Sequence, residues 1–362
     1  MTSQAYNRCM DLWIDGRAAC MSQRTGKSQW TLLFVAEILR RRSATVCIAY
    51  GDALPELWQT DHARIRRFAR GARWHLQVSR AVRNAHCVYL APTSFIVPAL
   101  LPRTSCCVPV VHDLIAFRRE PHAWKAKLLE HCTLPLAIKK AAHVLVTSAA
   151  TQRDLSELFP AMVRENISRV YAGPSSDHPE PSVPDGTTIL CPATLCPRKN
   201  QLRLIEAYAS ISPDLRSQYR LVLVGARGWH DREILRAIAC TDGVEWRKYV
   251  PDREYSRLLS TCTVLAFPSL YEGFGLPVLD ALQRGTPVLT SARGSLQEVV
   301  GTRGVLVDPE SIDAIAQGLT LLLRDHGLRN RLRTQGPVQA SRFSWKSTVD
   351  IALRAIDSVA KR

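Results

Sequence analysis

The chain has 362 residues, 46 % of them hydrophobic, and a net charge of +16 in which arginine supplies 39 of the 48 basic side chains. The length predicts two domains and the apolar content is ample for buried cores, while the charge suits anionic partners such as phosphates, nucleic acid or anionic lipid. No apolar run approaches the roughly 20 residues of a membrane-spanning helix, so a membrane contact would be peripheral. Residues 1–180 carry 24 basic against 14 acidic residues, and residues 181–362 carry 24 against 18, so the excess leans toward the first half. The eleven cysteines lack metal-ligand spacing, and Cys191-x4-Cys196 is no zinc knuckle. Scattered cysteines and a polar start without signal-peptide character lead to an expectation of reduced thiols and a cytoplasmic location.

In chain order, Leu12–Ile14 reads as a strand and Trp30–Arg42 as an amphipathic helix with a basic end. Val46–Tyr50, Cys87–Leu90, Val108–Val111 and Val144–Thr147 are short buried-strand candidates. Residues 173–186, with four prolines and two glycines, read as a linker. Alternation then restarts: strands at Thr188–Cys191, Arg220–Val224, Val244–Trp246 and 263–267, with helices at Leu202–Ile211, Arg232–Ala239 and Arg253–Ser260 between them. A helix at Leu276–Leu282, strands at Thr286–Thr290 and Gly304–Val307, and a last helix from Ser344 to Ala360 complete the pattern. The expected organisation is an α/β chain of two Rossmann-like domains, 1–172 and 187–343, with parallel sheets facing a central cleft. The linker is 173–186, and a helix occupies 344–362.

Several motifs carry chemistry. In Thr25-Gly26-Lys27-Ser28 the Walker match fails, because position 21 is Met21 rather than glycine. A glycine turn that lets a diphosphate approach Gly26 remains. Arg64, Arg66, Arg67, Arg70 and Arg73 surround Phe68 and Trp74, with Ile65, Phe68 and Ala72 near one face at helical spacing. This reads as a basic amphipathic helix lying on anionic lipid, or as a solvated helix. No reader motif for nucleic acid is present, so none is expected as a partner. His112-Asp113 ends an apolar strand, where the imidazole could donate to a sugar hydroxyl and Asp113 fix its tautomer or cap the next helix. Arg198-Lys199-Asn200 puts two cations before a helix, against the helix dipole, which suits a bound phosphate or a solvated turn. Glu272 and Asp280 bracket the turn Gly273-Phe274-Gly275 between an apolar strand and a helix. Free N–H groups at that helix start attract anions, and the carboxylates suit sugar hydroxyls, so the natural ligand is a nucleotide-sugar.

These residues resemble the family-4 retaining glycosyltransferases of the GT-B fold, the group that includes bacterial mannosyltransferases for surface polysaccharides and lipopolysaccharide. Ala193–Asn200, Leu223–Trp229, Phe267–Pro287 and Gly301–Pro309 are similar to the family's C-terminal motifs, and Val110–Ile115 to its His-Asp-Leu element. The resemblance implies that the helix of 344–362 crosses back to pack on the first domain, and it implies roles. Glu272 holds donor-sugar hydroxyls, Gly273, Phe274 and Gly275 meet sugar and diphosphate, and Asp280 binds ribose. Lys199 and Arg198 neutralise the diphosphate, Gly26 lies at the donor, His112 lies by the transferred sugar, and Glu298 is structural. The chain departs from the family with Asp for Glu at 280, Ala193 for Gly and Cys196 for Glu.

The implied activity is hexosyl transfer, with mannose from GDP-mannose as first choice and a UDP-hexose or dTDP-rhamnose as alternatives. The acceptor is a glycan or a polyprenyl-diphosphate-linked glycan, and a peripheral contact with the inner face of an anionic membrane would fit. With no carboxylate nucleophile in hand, front-face attack is expected, in which a leaving phosphate oxygen takes the acceptor's proton. The chain has no Asp-x-Asp, so no metal or other cofactor is expected. The rival readings are a nucleotide-sugar epimerase or hydrolase of the same fold, and a non-catalytic nucleotide- or lipid-binding protein.

Overall fold

The computed structural model describes residues 10–23, 25–161, 166–176 and 184–361. Two fully parallel sheets carry the molecule. The first has the order β3-β2-β1-β4-β5-β6-β7, built from β1 (Asp11–Asp15), β2 (Ala44–Ala49), β3 (Ala63–Phe68), β4 (Cys87–Ala91), β5 (Cys106–Val111), β6 (Val144–Val146) and β7 (Ile167–Arg169). The second has the order β10-β9-β8-β11-β12-β13, from β8 (Thr188–Pro192), β9 (Arg220–Val224), β10 (Val244–Trp246), β11 (Val264–Phe267), β12 (Val288–Ser291) and β13 (Val305–Val307). The central strands β2, β4, β8 and β11 are buried along their whole length, as continuous apolar runs covered on both faces require.

The covering helices are α1 (Gly26–Leu39), α2 (Ala72–Arg83), α3 (Ile96–Leu100), α4 (Trp124–Lys140) and α5 (Ala149–Leu158) in the first half. The second half adds α6 (Gln201–Ser210), α7 (Pro213–Gln218), α8 (Arg232–Cys240), α9 (Asp252–Thr261), α10 (Leu276–Gln283), α11 (Gly294–Val300), α12 (Ile312–Arg324) and α13 (His326–Ala340). Finally α14 (Trp345–Ala360) returns to the first half, packing on α1 and on the β4–β5–β7 side of the first sheet. Ser344 caps it, accepting a hydrogen bond from the Ser347 N–H at 3.1 Å, and Arg41 and Arg42 pair with its Asp350 and Asp357 at 2.5 and 2.6 Å. Of the linker expected at 173–186, residues 177–183 lie outside the described residues. No helix among the described residues is long and apolar enough to cross a membrane.

The expected basic helix around Arg64–Arg73 does not form. Residues Ala63–Phe68 are the edge strand β3, in parallel register with β2 from Ala44↔Ala63 to Ala49↔Phe68, and α2 starts only at Ala72 after Gly71 at φ 66°. The physical reason is the period-two alternation Arg64-Ile65-Arg66, which the helical spacing of Ile65, Phe68 and Ala72 obscured. Ile65 turns toward the core while Arg64, Arg66 and Arg67 stay exposed, a charged edge that resists further strand pairing. Arg67 and Arg70 are spent on the β2 exit, donating to the carbonyls of Asp52 and Tyr50 at 2.9 and 2.6 Å.

In both sheets the strand order reverses at the centre, between β1 and β4 and between β8 and β11. Open α/β sheets bind ligands at such a reversal, beyond the carboxyl ends of the strands. The loops leaving these strands meet between the sheets.

Candidate active site

The loop 268–275 leaves the buried end of β11 and opens α10, whose N-cap Gly275 has φ 100°. Glu272 lies in it, buried, with its backbone carbonyl fixed by the Ser295 hydroxyl at 2.8 Å. The 3-10 turn Pro197–Lys199, beyond β8, brings two cations to this carboxylate. Lys199 Nζ meets Glu272 Oε1 at 2.5 Å and Arg198 meets Oε2 at 3.1 Å. Arg198 also donates to the Tyr271 carbonyl at 2.9 Å. Asn200, left-handed at φ 62°, holds the turn in place by donating from Nδ2 to the carbonyls of Pro268 and Pro309 at 2.9 and 2.7 Å. Burial raises the Glu272 carboxyl, but the Lys199 and Arg198 charges outweigh it and hold it below its ordinary value. Burial draws the Lys199 ammonium down against the opposing pull of Glu272. Without a ligand the three groups therefore neutralise one another, with one cation in excess.

The first half supplies the opposite wall. His112 follows β5 and is buried, its ring edge-on to Trp30 with centroids 4.8 Å apart. Its Nε2–H donates to the Pro92 carbonyl at 2.7 Å, beyond β4, which leaves Nδ1 as the acceptor. The imidazole therefore accepts rather than donates at its free nitrogen, and Pro92 rather than Asp113 sets the tautomer. Burial and then the Lys27 charge lower the His112 pKa to about 4, so the ring is neutral. Asp113 caps the following turn, accepting from the Ile115 N–H at 3.3 Å, and pairs with Lys27 at 3.0 Å. Lys27 and Arg198 hold the Asp113 carboxyl well below the usual carboxylate range against the opposing effect of burial. Gly26 is the first residue of α1 behind the Thr25 cap, and an added Cβ there would meet open space, so no close approach in the molecule itself explains the glycine.

The two walls touch at Gly273. A Cβ there would lie 2.0 Å from the His112 carbonyl oxygen and 3.0 Å from Asp113 Cβ, so only glycine fits. Thr147 Oγ1 donates to the His112 carbonyl at 2.8 Å and also reaches the Gly273 carbonyl at 3.3 Å.

The site thus gathers His112, Arg198, Lys199, Glu272 and residues 273–275, while Gly26 is linked to it through its neighbour Lys27, which pairs with Asp113. Asp280 has partners of its own. It is buried on α10, and its two oxygens accept from the Ser175 N–H and hydroxyl, each at 2.7 Å. Burial raises its carboxyl against these donors. Four partners had no role in the sequence reading. Lys27 and Asn200 adjoin motif residues, and an asparagine before a helix could have signalled its left-handed conformation. Ser175 lies 105 residues from Asp280, and Asp154, which receives the Tyr271 hydroxyl, lies 117 residues away, so neither pairing left a sequence trace.

The sequence and the fold have counterparts. Residues 175–339 match the family model described as glycosyl transferases group 1. The O-antigen chain mannosyltransferase B of Escherichia coli is 36 % identical over 165 residues, 45 % of this chain and 43 % of that one. The MMP alpha-(1->4)-mannosyltransferase of Mycolicibacterium hassiacum is 33 % identical over 172 residues, 45 % and 42 % of the two chains. The Anabaena Alr3699/HepE structure, in complex with UDP and glucose, superposes with a TM-score of 0.76 over 97 % of this chain and 100 % of that one at 19 % identity. The chain therefore has the GT-B fold. Its second half matches a group 1 glycosyl transferase domain and is similar to bacterial mannosyltransferases. The chain spans less than half the length of the curated relatives it matches.

Proposed function

We propose that this protein is a retaining, metal-independent hexosyltransferase that moves mannose from GDP-mannose to a glycan or lipid-linked glycan acceptor in surface polysaccharide synthesis. The observation that carries the reading is the Glu272–Lys199–Arg198 cluster facing neutral His112 across a glycine contact. The diphosphate enters beside Lys199 and Arg198, which stabilise the departing charge and draw away from Glu272 as it binds. Glu272 then accepts from the sugar hydroxyls, and His112 Nδ1 accepts from another. The acceptor oxygen attacks on the face the diphosphate leaves, and a phosphate oxygen of the leaving group takes its proton, so positioning is the protein's main contribution. The mannose assignment draws on the E. coli and M. hassiacum relatives, which are both mannosyltransferases by name.

The experiment is incubation with GDP-mannose, UDP-glucose and dTDP-rhamnose and an undecaprenyl-diphosphate-linked oligosaccharide, with the product's anomeric configuration read by NMR. The expected product is α-linked mannose, formed at the same rate in EDTA. Transfer only from another donor would displace the mannose assignment, and a rate lost in EDTA and restored by Mn²⁺ would end the metal-independent one. Free sugar or an epimer from donor alone would favour the hydrolase or epimerase reading.

A further inference from the structure

Helix α5 buries Ala150, Thr151, Asp154 and Leu155. Their spacing is that of one helix face, so a carboxylate stands in the stripe that packs inward, where it needs partners. Arg118 supplies the first. It lies just past the turn 115–117 that follows His112–Asp113, and its Nε donates to Asp154 Oδ2 at 3.1 Å while its Nη2 donates to Oδ1. This fork neutralises the carboxylate within the first half and ties α5 to the loop that carries His112. A third donor to Asp154 comes from the second half: the hydroxyl of buried Tyr271. The Arg118 guanidinium also lies over the Tyr271 ring, 5.4 Å from its centroid. Tyr271 precedes Glu272, and its carbonyl accepts from Arg198 Nη1 at 2.9 Å. The Leu270 N–H donates back to the Arg198 carbonyl at 2.9 Å, which stitches the loop to the cationic turn.

These contacts make one linked path. It starts at the loop that places His112, runs through Arg118, Asp154 and Tyr271, and ends at the pair Arg198–Glu272. We propose that Asp154 is a positioning residue for glycosyl transfer, acting through Tyr271 to set Arg198 and Glu272 against His112. The proposal rests on the transferase reading for the reaction it serves. That reaction needs groups from both halves in one geometry, and a misplacement of about 1 Å costs roughly a hundredfold in rate. The Gly273 contact sets how near the halves come. The Tyr271 bond adds direction, because a hydroxyl donating to a buried carboxylate is both oriented and strong. Arg118 already balances the charge of Asp154, so the Tyr271 hydroxyl is not what makes that burial tolerable. Glu298 clasps the same helix from α11, through the Ala149 and Ala150 N–H groups at 3.1 and 3.4 Å, but it holds no group of the site and so provides a control.

The test is steady-state kinetics of the full chain with the donor that the wild type uses among GDP-mannose, UDP-glucose and dTDP-rhamnose, and calorimetry of that donor's binding. Tyr271→Phe keeps the ring beneath Arg118 and removes only the hydroxyl. It should lower kcat roughly tenfold to a hundredfold, the worth of one hydrogen bond to a charged group, and leave donor affinity nearly unchanged. Asp154→Leu should lower kcat at least as much, and adding Tyr271→Phe to it should lower kcat no further, because both changes break the same bond. Glu298→Gln, which weakens the other clasp on α5, should lower kcat far less. Wild-type kcat in Tyr271→Phe would overturn the proposal, as would weaker donor binding with kcat kept. An equal loss in Glu298→Gln would also overturn it, since the effect would then be general docking of the halves. A wild type that transfers from none of the three donors would remove the transferase reading and this role with it, whereas a transferring wild type matched by Tyr271→Phe would remove this role alone.

Discussion

At the scale of single residues, the site is set by which side chains are neutral and which are spent. His112 is held neutral by burial, with a pKa of about 4. A depressed folded pKa costs stability when the group must protonate: the penalty is absent above the ordinary value of 6.5, grows as pH falls, and is complete below about 4, at about 3 kcal/mol. His112→Gln keeps a donor at the Nε2 position for the Pro92 carbonyl without titrating. Urea denaturation from pH 7 to pH 4 should therefore show the wild type losing stability that the variant retains, and parallel pH curves would remove His112 as the source. Lys199→Ala leaves Glu272 with Arg198 alone and a diphosphate without its nearest cation. It should lower the transfer rate roughly 10²–10³-fold, by analogy with removal of an oxyanion donor, and near-normal turnover would end its assigned role. Asp280 is committed differently. Both of its oxygens serve Ser175, so Asp280→Ala should cost about 2 kcal/mol of stability from the lost charged hydrogen bonds. It should also change donor affinity, read by thermal shift, less than Glu272→Gln does.

At the scale of elements, the chain's alternation of buried apolar runs and amphipathic stretches made most strands of both sheets legible, as it did the tail helix with its Ser344 cap. Local signals suffice there, because a fully buried parallel strand is an apolar run between breakers. Residues Ala63–Phe68 escaped because a charged edge strand and a basic helix share one composition. The motif around Glu272 was legible because a strand, a glycine turn and a helix are consecutive. The partners that complete it were not, because they come from the other sheet. Helix α5 shows the same limit. Its own N-cap, Ser148, satisfies the Thr151 N–H at 2.9 Å, while the Ala149 N–H goes to the Glu298 carboxylate of α11 at 3.0 and 3.1 Å. Glu298 also receives the Tyr171 hydroxyl at 2.5 Å. A carboxylate at a helix N-terminus meets free N–H groups and the positive end of the dipole. Glu298→Ala should lower the urea midpoint by an amount worth about 1–2 kcal/mol, and an unchanged midpoint would show the clasp contributes nothing.

At the scale of the whole molecule, two kinds of contact join the halves. One is a permanent tether: α14 packs on α1, with Trp345 against Trp30 at 5.9 Å and with Asp350 and Asp357 paired to Arg41 and Arg42. The other is the meeting of cleft walls, through Tyr271 and Asp154, Glu298 and α5, and Gly273 and His112. The tether and the cleft share Trp30, whose ring also meets His112, and α14 still joins the halves when the cleft contacts open, as a hinged site requires for a donor to enter and a nucleotide to leave. Gly273 is where this can be tested without touching a charge. Its substitution by alanine puts a methyl 2.0 Å from the His112 carbonyl oxygen, a contact against backbone on one side and a short loop on the other. The cost is relieved most simply by the two walls moving apart, because His112 belongs to one half and Gly273 to the other. Gly273→Ala should therefore keep the wild-type circular dichroism, raise the radius of gyration in small-angle scattering, and lose transfer activity together with the closed cleft. A variant that kept both the wild-type radius and the wild-type rate would show that the two walls need not meet for the chemistry.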